Sequence, residues 1–98
     1  AMGVVNTVIS AGKSGEILIT GSNGDEGVLD FIKSGDMTAT TGNYLGMIAK
    51  KCAEVTAQVT LGTWDKSVKE YSMGKAVIEL VDKDNVEEFA ANKYTRTE

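Results

Sequence analysis

Asn23 and Asn43 are the residues of this chain best suited to recognising a ligand, because each carries a hydrogen-bond donor and an acceptor on one short side chain. Both lie within polar turns: Gly21-Ser22-Asn23-Gly24-Asp25 follows Glu16–Thr20, and Thr41-Gly42-Asn43-Tyr44 follows Met37–Thr40. If those stretches are strands of an open α/β sheet, their carboxyl ends are where ligands bind, and the two amides face one cleft. Amides, the Ser22 hydroxyl and an aromatic ring suit an uncharged, polyhydroxylated ligand, since adjacent sugar hydroxyls each donate and accept. Tyr44 or Trp64 could stack on a sugar face. Each residue also has an ordinary structural use. Asn23 before Gly24 fits a left-handed turn, Asn43 fits a helix cap, and an aromatic residue in a small chain fills a core.

Reactive chemistry finds little support. The chain has no histidine, which removes the usual general base near neutral pH and the usual zinc ligand. Cys52 falls among Ile48, Ala49, Val55 and Val59, so it reads as a buried thiol, and a lone cysteine makes no internal disulfide. Gly21, Gly24 and Gly27 follow a strand and precede a helix, as in a phosphate-cradling turn. Their spacing is not GxGxxG, the Lys-Ser/Thr pair of a P-loop is missing, and Asp25 and Glu26 put negative charge where phosphate would sit. Asp25, Glu26, Asp30 and Asp36 do not follow calcium-loop spacing and read as helix-start and surface charges. The residues therefore predict a binding protein without catalytic residue, metal or cofactor.

The elements that must position the asparagines follow from the apolar period. Met2, Val5, Val8 and Ile9 recur at helical intervals over Met2–Ser10, and Ile17-Leu18-Ile19 is a continuous apolar run, as in a strand covered on both faces. Asp25 can cap a helix over Glu26–Lys33, with Val28, Leu29 and Ile32 on one face and Gly35 at its end. Met37–Thr41 reads as a second strand. The longest element, Tyr44–Thr60, carries Leu45, Ile48, Cys52, Val55 and Val59 on one side and Lys50, Lys51, Glu54 and Gln58 mostly on the other. Lys66–Ser72 is polar and extended, Ala76–Val81 reads as a strand, Val86–Ala91 as a short helix, and Lys93–Glu98 as a mobile tail. The order is αβαβαβ, with the short helix after the third strand.

Composition sets the bounds. At 98 residues and 42% hydrophobic content the chain is one soluble unit, residues 1–98, with one small core. A net charge of -4, with Lys50-Lys51 the one basic pair, argues against a nucleic-acid partner. No apolar run spans a bilayer, and no signal segment opens the chain.

Three segments carry a family likeness. Ser10-Ala11-Gly12-Lys13 followed by Gly15-Glu16-Ile17-Leu18-Ile19-Thr20-Gly21 resembles the AAGK…ILIVG segment of type I periplasmic sugar-binding proteins. Val28–Thr40, with Ile32-Lys33-Ser34-Gly35-Asp36-Met37-Thr38-Ala39-Thr40, is similar to that family's helix and IKSGKMTAT strand. Leu80-Val81-Asp82-Lys83-Asp84-Asn85-Val86-Glu87-Glu88-Phe89 resembles its LVTKDNVDEF ending. In this order they cover nearly the whole chain.

The resemblance implies a three-layer, Rossmann-like fragment with a small, mostly parallel sheet. It implies a cleft between two lobes that closes on a sugar and presents it to an ABC permease, in a periplasmic or extracellular, lipoprotein-type parent. Such proteins are about three times longer, so the chain corresponds to their carboxyl-terminal third without the amino-terminal lobe. Asn23 stands where the family's G-F-D-G turn has aspartate, and Asn43 where a glutamine is usual. A ligand-sensing domain of a LacI-type regulator has the same lobe architecture and is one alternative; a self-associating module without ligand is another. The helix over Tyr44–Thr60 would pack on the missing lobe, so the sequence predicts that it folds back on its own sheet or that the chain self-associates.

Overall fold

A computed structural model describes all residues, 1–98. Its elements are α1 (Met2–Ser10), β1 (Thr20–Gly21), α2 (Glu26–Ser34), β2 (Ala39–Asn43), α3 (Leu45–Leu61), a 3-10 turn (Gly74–Val77), β3 (Ile78–Val81) and α4 (Val86–Asn92). The helix–strand alternation is the one the apolar period predicts.

β2 is the central strand. β1 lies parallel to it, with Thr20 opposite Ala39 and Gly21 opposite Thr40, and β3 antiparallel, with Thr40 opposite Val81 and Thr41 opposite Leu80. The sheet is thus mixed rather than mostly parallel. The reason lies in the connection: α3 leaves the sheet and the chain returns to the same end, where the Tyr44 N–H donates to the Val77 carbonyl at 2.9 Å. Strands joined at one end run in opposite directions.

The core forms where three amphipathic helices meet one face of this sheet. Val5 and Val8 of α1, Val28, Leu29 and Ile32 of α2, and Val86 and Phe89 of α4 pack with Ile19, Met37, Tyr44 and Val81. α2 shows why these residues fold so: its apolar side chains fall within one turn of each other, Glu26 and Lys33 match the helix dipole at either end, and Gly35 closes it at φ +87°. Asp25 occupies the N-cap position, but its side chain makes no capping bond. Asn85 fixes the turn into α4, accepting from the Asp82 N–H and donating to the Leu80 carbonyl, both at 2.9 Å.

The other sheet face is bare. Side chains alternate along a strand, so Thr40, Gly42 and Val81 point to the helices, and Thr41, Ile78 and Leu80 away from them. Leu80 is 64% exposed, and Leu18, just before β1, 80% exposed. The chain therefore builds two layers, and the third that the resemblance implied is not filled. This corrects the reading of Ile17-Leu18-Ile19 as a strand covered on both faces: Ile19 is buried, Ile17 and Leu18 are exposed, and β1 starts only at Thr20.

α3 stands apart and has no buried residue. The molecule measures 57 × 23 × 18 Å with a radius of gyration of 17.2 Å, against about 13 Å for a compact domain of this length. The helix does not fold back on its own sheet. Cys52 is consequently exposed, a correction to the buried thiol that its apolar neighbours predict, because the sheet does not cover its stripe and only Tyr71 and Met73 stand beside it. The tail, expected to be mobile, is docked instead: the Gly46 N–H donates to the Lys93 carbonyl at 3.1 Å, and Arg96 lies over the Tyr44 ring at 4.5 Å.

Candidate functional site

Two glycines bring the asparagine turns together. Asn23 has φ +77°, which asparagine tolerates better than most residues, and Gly24 follows at φ +64°. A Cβ on Gly24 would stand 3.0 Å from the Gly42 Cα and 3.1 Å from the Phe89 Cε1. Only without side chains can the backbones approach this closely. The contact places Asn43 Nδ2 at 3.4 Å from Asn23 Oδ1, to which it donates. This long bond leaves the Asn23 Nδ2 donor and the Asn43 Oδ1 acceptor for a ligand. Asn43 is the last residue of β2, and the cap position of α3 belongs to Tyr44.

Ser22 is exposed beside Asn23. With Thr20, Asn23 and Asp25 it lines an open groove of about 640 Å³, whose other wall is Met2 and Val4 of α1. Asn43 lies off this groove, so the structure pairs the two asparagines yet gives only Asn23 and Ser22 to the same hollow. Its polar side chains are two hydroxyls, one amide and one carboxylate, set against an apolar wall.

Tyr44 sits elsewhere. It is 4% exposed, its ring 5.2 Å from that of Phe89 and covered by Arg96, so neither face is open for sugar stacking. Its hydroxyl donates to the Glu79 carboxylate. Burial first, and then the Glu79 carboxylate, raise the Tyr44 pKa above its ordinary value of 10.0. A raised folded pKa means stability that is intact below the unfolded value and lost as pH rises through the folded one. Wild-type protein is therefore expected to lose stability above about pH 10, in step with Tyr44 ionisation. Tyr44→Phe should cost about 1–2 kcal/mol at pH 7, through the lost bond to Glu79, and flatten this alkaline loss. Urea melts at pH 7 and above pH 10 check it; equal alkaline slopes for the two proteins would exclude Tyr44 as the cause.

Sequence reasoning missed Lys93, which holds the site from behind. It is 3% exposed, and its Nζ donates to the Gly24 carbonyl at 2.8 Å, fixing the turn that presents Asn23. A signal was there: Val86, Phe89 and Lys93 follow at helical spacing on the stripe that α4 buries, but a charged residue at a helix end reads as tail. Phe89, under both Gly24 and Gly42, was legible as core and not as the floor of the site.

No protein-family profile and no curated protein matches the chain. Among solved structures, the chain is similar to an ABC transporter periplasmic solute-binding protein from Actinobacillus succinogenes 130z with bound D-allose, at a TM-score of 0.72 and 23% identity. The likeness covers 90% of this chain and 29% of that one. At this identity it shows the fold: the α/β architecture of this chain is that of the matched part of the solute-binding protein, as the resemblance of the three sequence segments implies. It spans less than a third of the length of the protein that it matches.

Proposed function

We propose that this chain contributes part of the cleft of a solute-binding component of an ABC transporter, and that the solute is a neutral sugar or sugar-like molecule. The observation that carries this is the Asn23–Asn43 pair, one free amide donor beside one free carbonyl acceptor at adjacent strand ends. The fold supports it, since the matched structure is that of a binding protein holding D-allose, not of an enzyme. In this reading residues 1–98 act as the carboxyl-terminal portion of a two-lobed binder in the periplasm or tethered outside the cell. A facing lobe completes the cleft, and a permease receives the closed form. Asn23 and Asn43 share the sugar hydroxyls, Ser22 adds a contact from the groove, and Tyr44 supports Asn43 from the core.

Half a cleft binds weakly, because one wall supplies only part of the contacts while the entropic cost of capture stays whole. Titration of the chain with D-allose, followed by amide NMR, should give shifts confined to Ser22, Asn23 and Asn43, with a Kd on the order of millimolar or weaker. Asn23→Ala should abolish them. No shift at these residues at saturating sugar would sink the solute-binding reading, and micromolar affinity would sink the view that the cleft is incomplete. A second reading, a self-associating module without ligand, is favoured by α3, which has no buried residue. It predicts no sugar response at any concentration.

A further inference from the structure

We propose that α3 is an interaction surface for a second copy of this chain, with two α3 helices packing antiparallel across a two-fold axis that passes close to Cys52. Three observations converge on this occupant, and none involves the sugar site.

The first is the spacing of the apolar stripe. Leu45, Ile48, Cys52, Val55 and Val59 follow at intervals of three and four residues along all of α3, which is the seam of a helix made to meet another helix. A helix lying on a sheet uses a broader apolar face. The positions flanking the seam suit close approach: Ala49 and Thr56 on one side are small, and Lys51 and Gln58 on the other carry one charge, which Glu54 already pairs at 2.6 Å. The two-fold brings the two Lys51 side chains onto the same flank near the axis, and Glu54 of each copy offsets its own Lys51.

The second is that the seam has a seat. Ile48, Cys52 and Val55 form one wall of an open hollow of about 440 Å³, and Tyr71 and Met73 form the other. Tyr71 is 56% exposed, held on its inner side by Lys51, whose Nζ lies 5.3 Å from the ring centre. A partner helix on the seam would also meet the Tyr71 ring.

The third is area. The chain exposes 6488 Å², about 1,100 Å² more than a compact monomer of its mass. A stable interface removes about 800 Å² per partner, so the surplus, shared between α3 and the bare sheet face, is large enough to hold one. Because a two-fold interface uses the same patch twice, one unpartnered stripe per chain is enough. Cys52, midway along the seam, then lies within about one helical turn of its counterpart.

Sedimentation equilibrium of the 98-residue chain from about 1 μM to 1 mM, with a short bismaleimide to join Cys52 to Cys52, tests this. The expected result is a mass rising from that of one chain to that of two, with covalent dimer in proportion. Val55→Lys should weaken association at least about 100-fold and abolish the cross-link. Val55 is not buried in the monomer, so circular dichroism should stay that of wild type. Leu18→Lys, on the bare sheet face, should leave association unchanged. A monomer at 1 mM, a Val55→Lys protein that still dimerises, or a dimer broken by Leu18→Lys would each overturn the proposal. So would a dimer that Cys52 cannot join.

Discussion

Phe89→Ala lowers the unfolding free energy by about 3–5 kcal/mol, the usual loss for emptying a buried aromatic site. The ring is 1% exposed and touches parts of the chain distant in sequence: Tyr44 at the end of β2, Gly42 within it, and Gly24 in the first asparagine turn. Its neighbours cannot collapse into the void cheaply. Gly24 and Gly42 have no side chains to extend, and the Tyr44 ring is held by Arg96 and Glu79. A domain of this size has about 5–15 kcal/mol in all, so the variant should lose a large share of its stability, with a Tm lower by about 15 °C or more. Leu80→Ala, removing a side chain that is 64% exposed, should stay within about 0.5 kcal/mol of wild type. Urea melts at low micromolar concentration, where association does not contribute, make the comparison. A Phe89→Ala loss below about 1 kcal/mol would mean that this ring is not the floor of the core.

The same ring marks where sequence reasoning works and where it stops. α2 was legible to the residue, burying the Val28, Leu29 and Ile32 that its period puts on one side, while α1 buries Val5 and Val8 and leaves Met2 and Ile9 exposed. The asparagine turns were legible because strand ends, glycines and amides are local signals. Ile17-Leu18-Ile19 and Cys52 misled for a shared reason. An apolar run announces that a surface should be covered, not that this chain covers it, and here the bare sheet face and α3 stay open. Lys93 misled in the opposite sense. A buried amine depends on a carbonyl 69 residues away in sequence, and no local pattern announces such a pairing. Nor could periodicity reveal that the chain returns from α3 to the end of the sheet it left, which makes β3 antiparallel. Tyr44 followed its ordinary role, as core.

Gly42→Ala is expected to destabilise by about 1–3 kcal/mol, although alanine would normally improve a strand. By itself the change reduces the freedom of the unfolded chain and should add about 0.4–1 kcal/mol. The folded state opposes it, since the new methyl would stand 2.6 Å from Phe89 Cε2 and 2.7 Å from Val81 Cγ2. Both side chains are fully buried, so neither can swing into solvent, and the strand must shift instead. That shift separates Gly42 from Gly24 and draws Asn43 away from Asn23, so the 3.4 Å bond between them should break. Gly3→Ala supplies the opposite sign. Nothing lies within 4 Å of a Cβ there, and alanine inside α1 should stabilise by up to about 1 kcal/mol. The cause can be isolated by adding Phe89→Leu, whose smaller side chain vacates the space that the new methyl needs. If the clash is with the ring, the double variant loses less than the two single losses added, by about 1 kcal/mol. Strict additivity in thermal melts would place the strain of Gly42→Ala in the backbone rather than against Phe89.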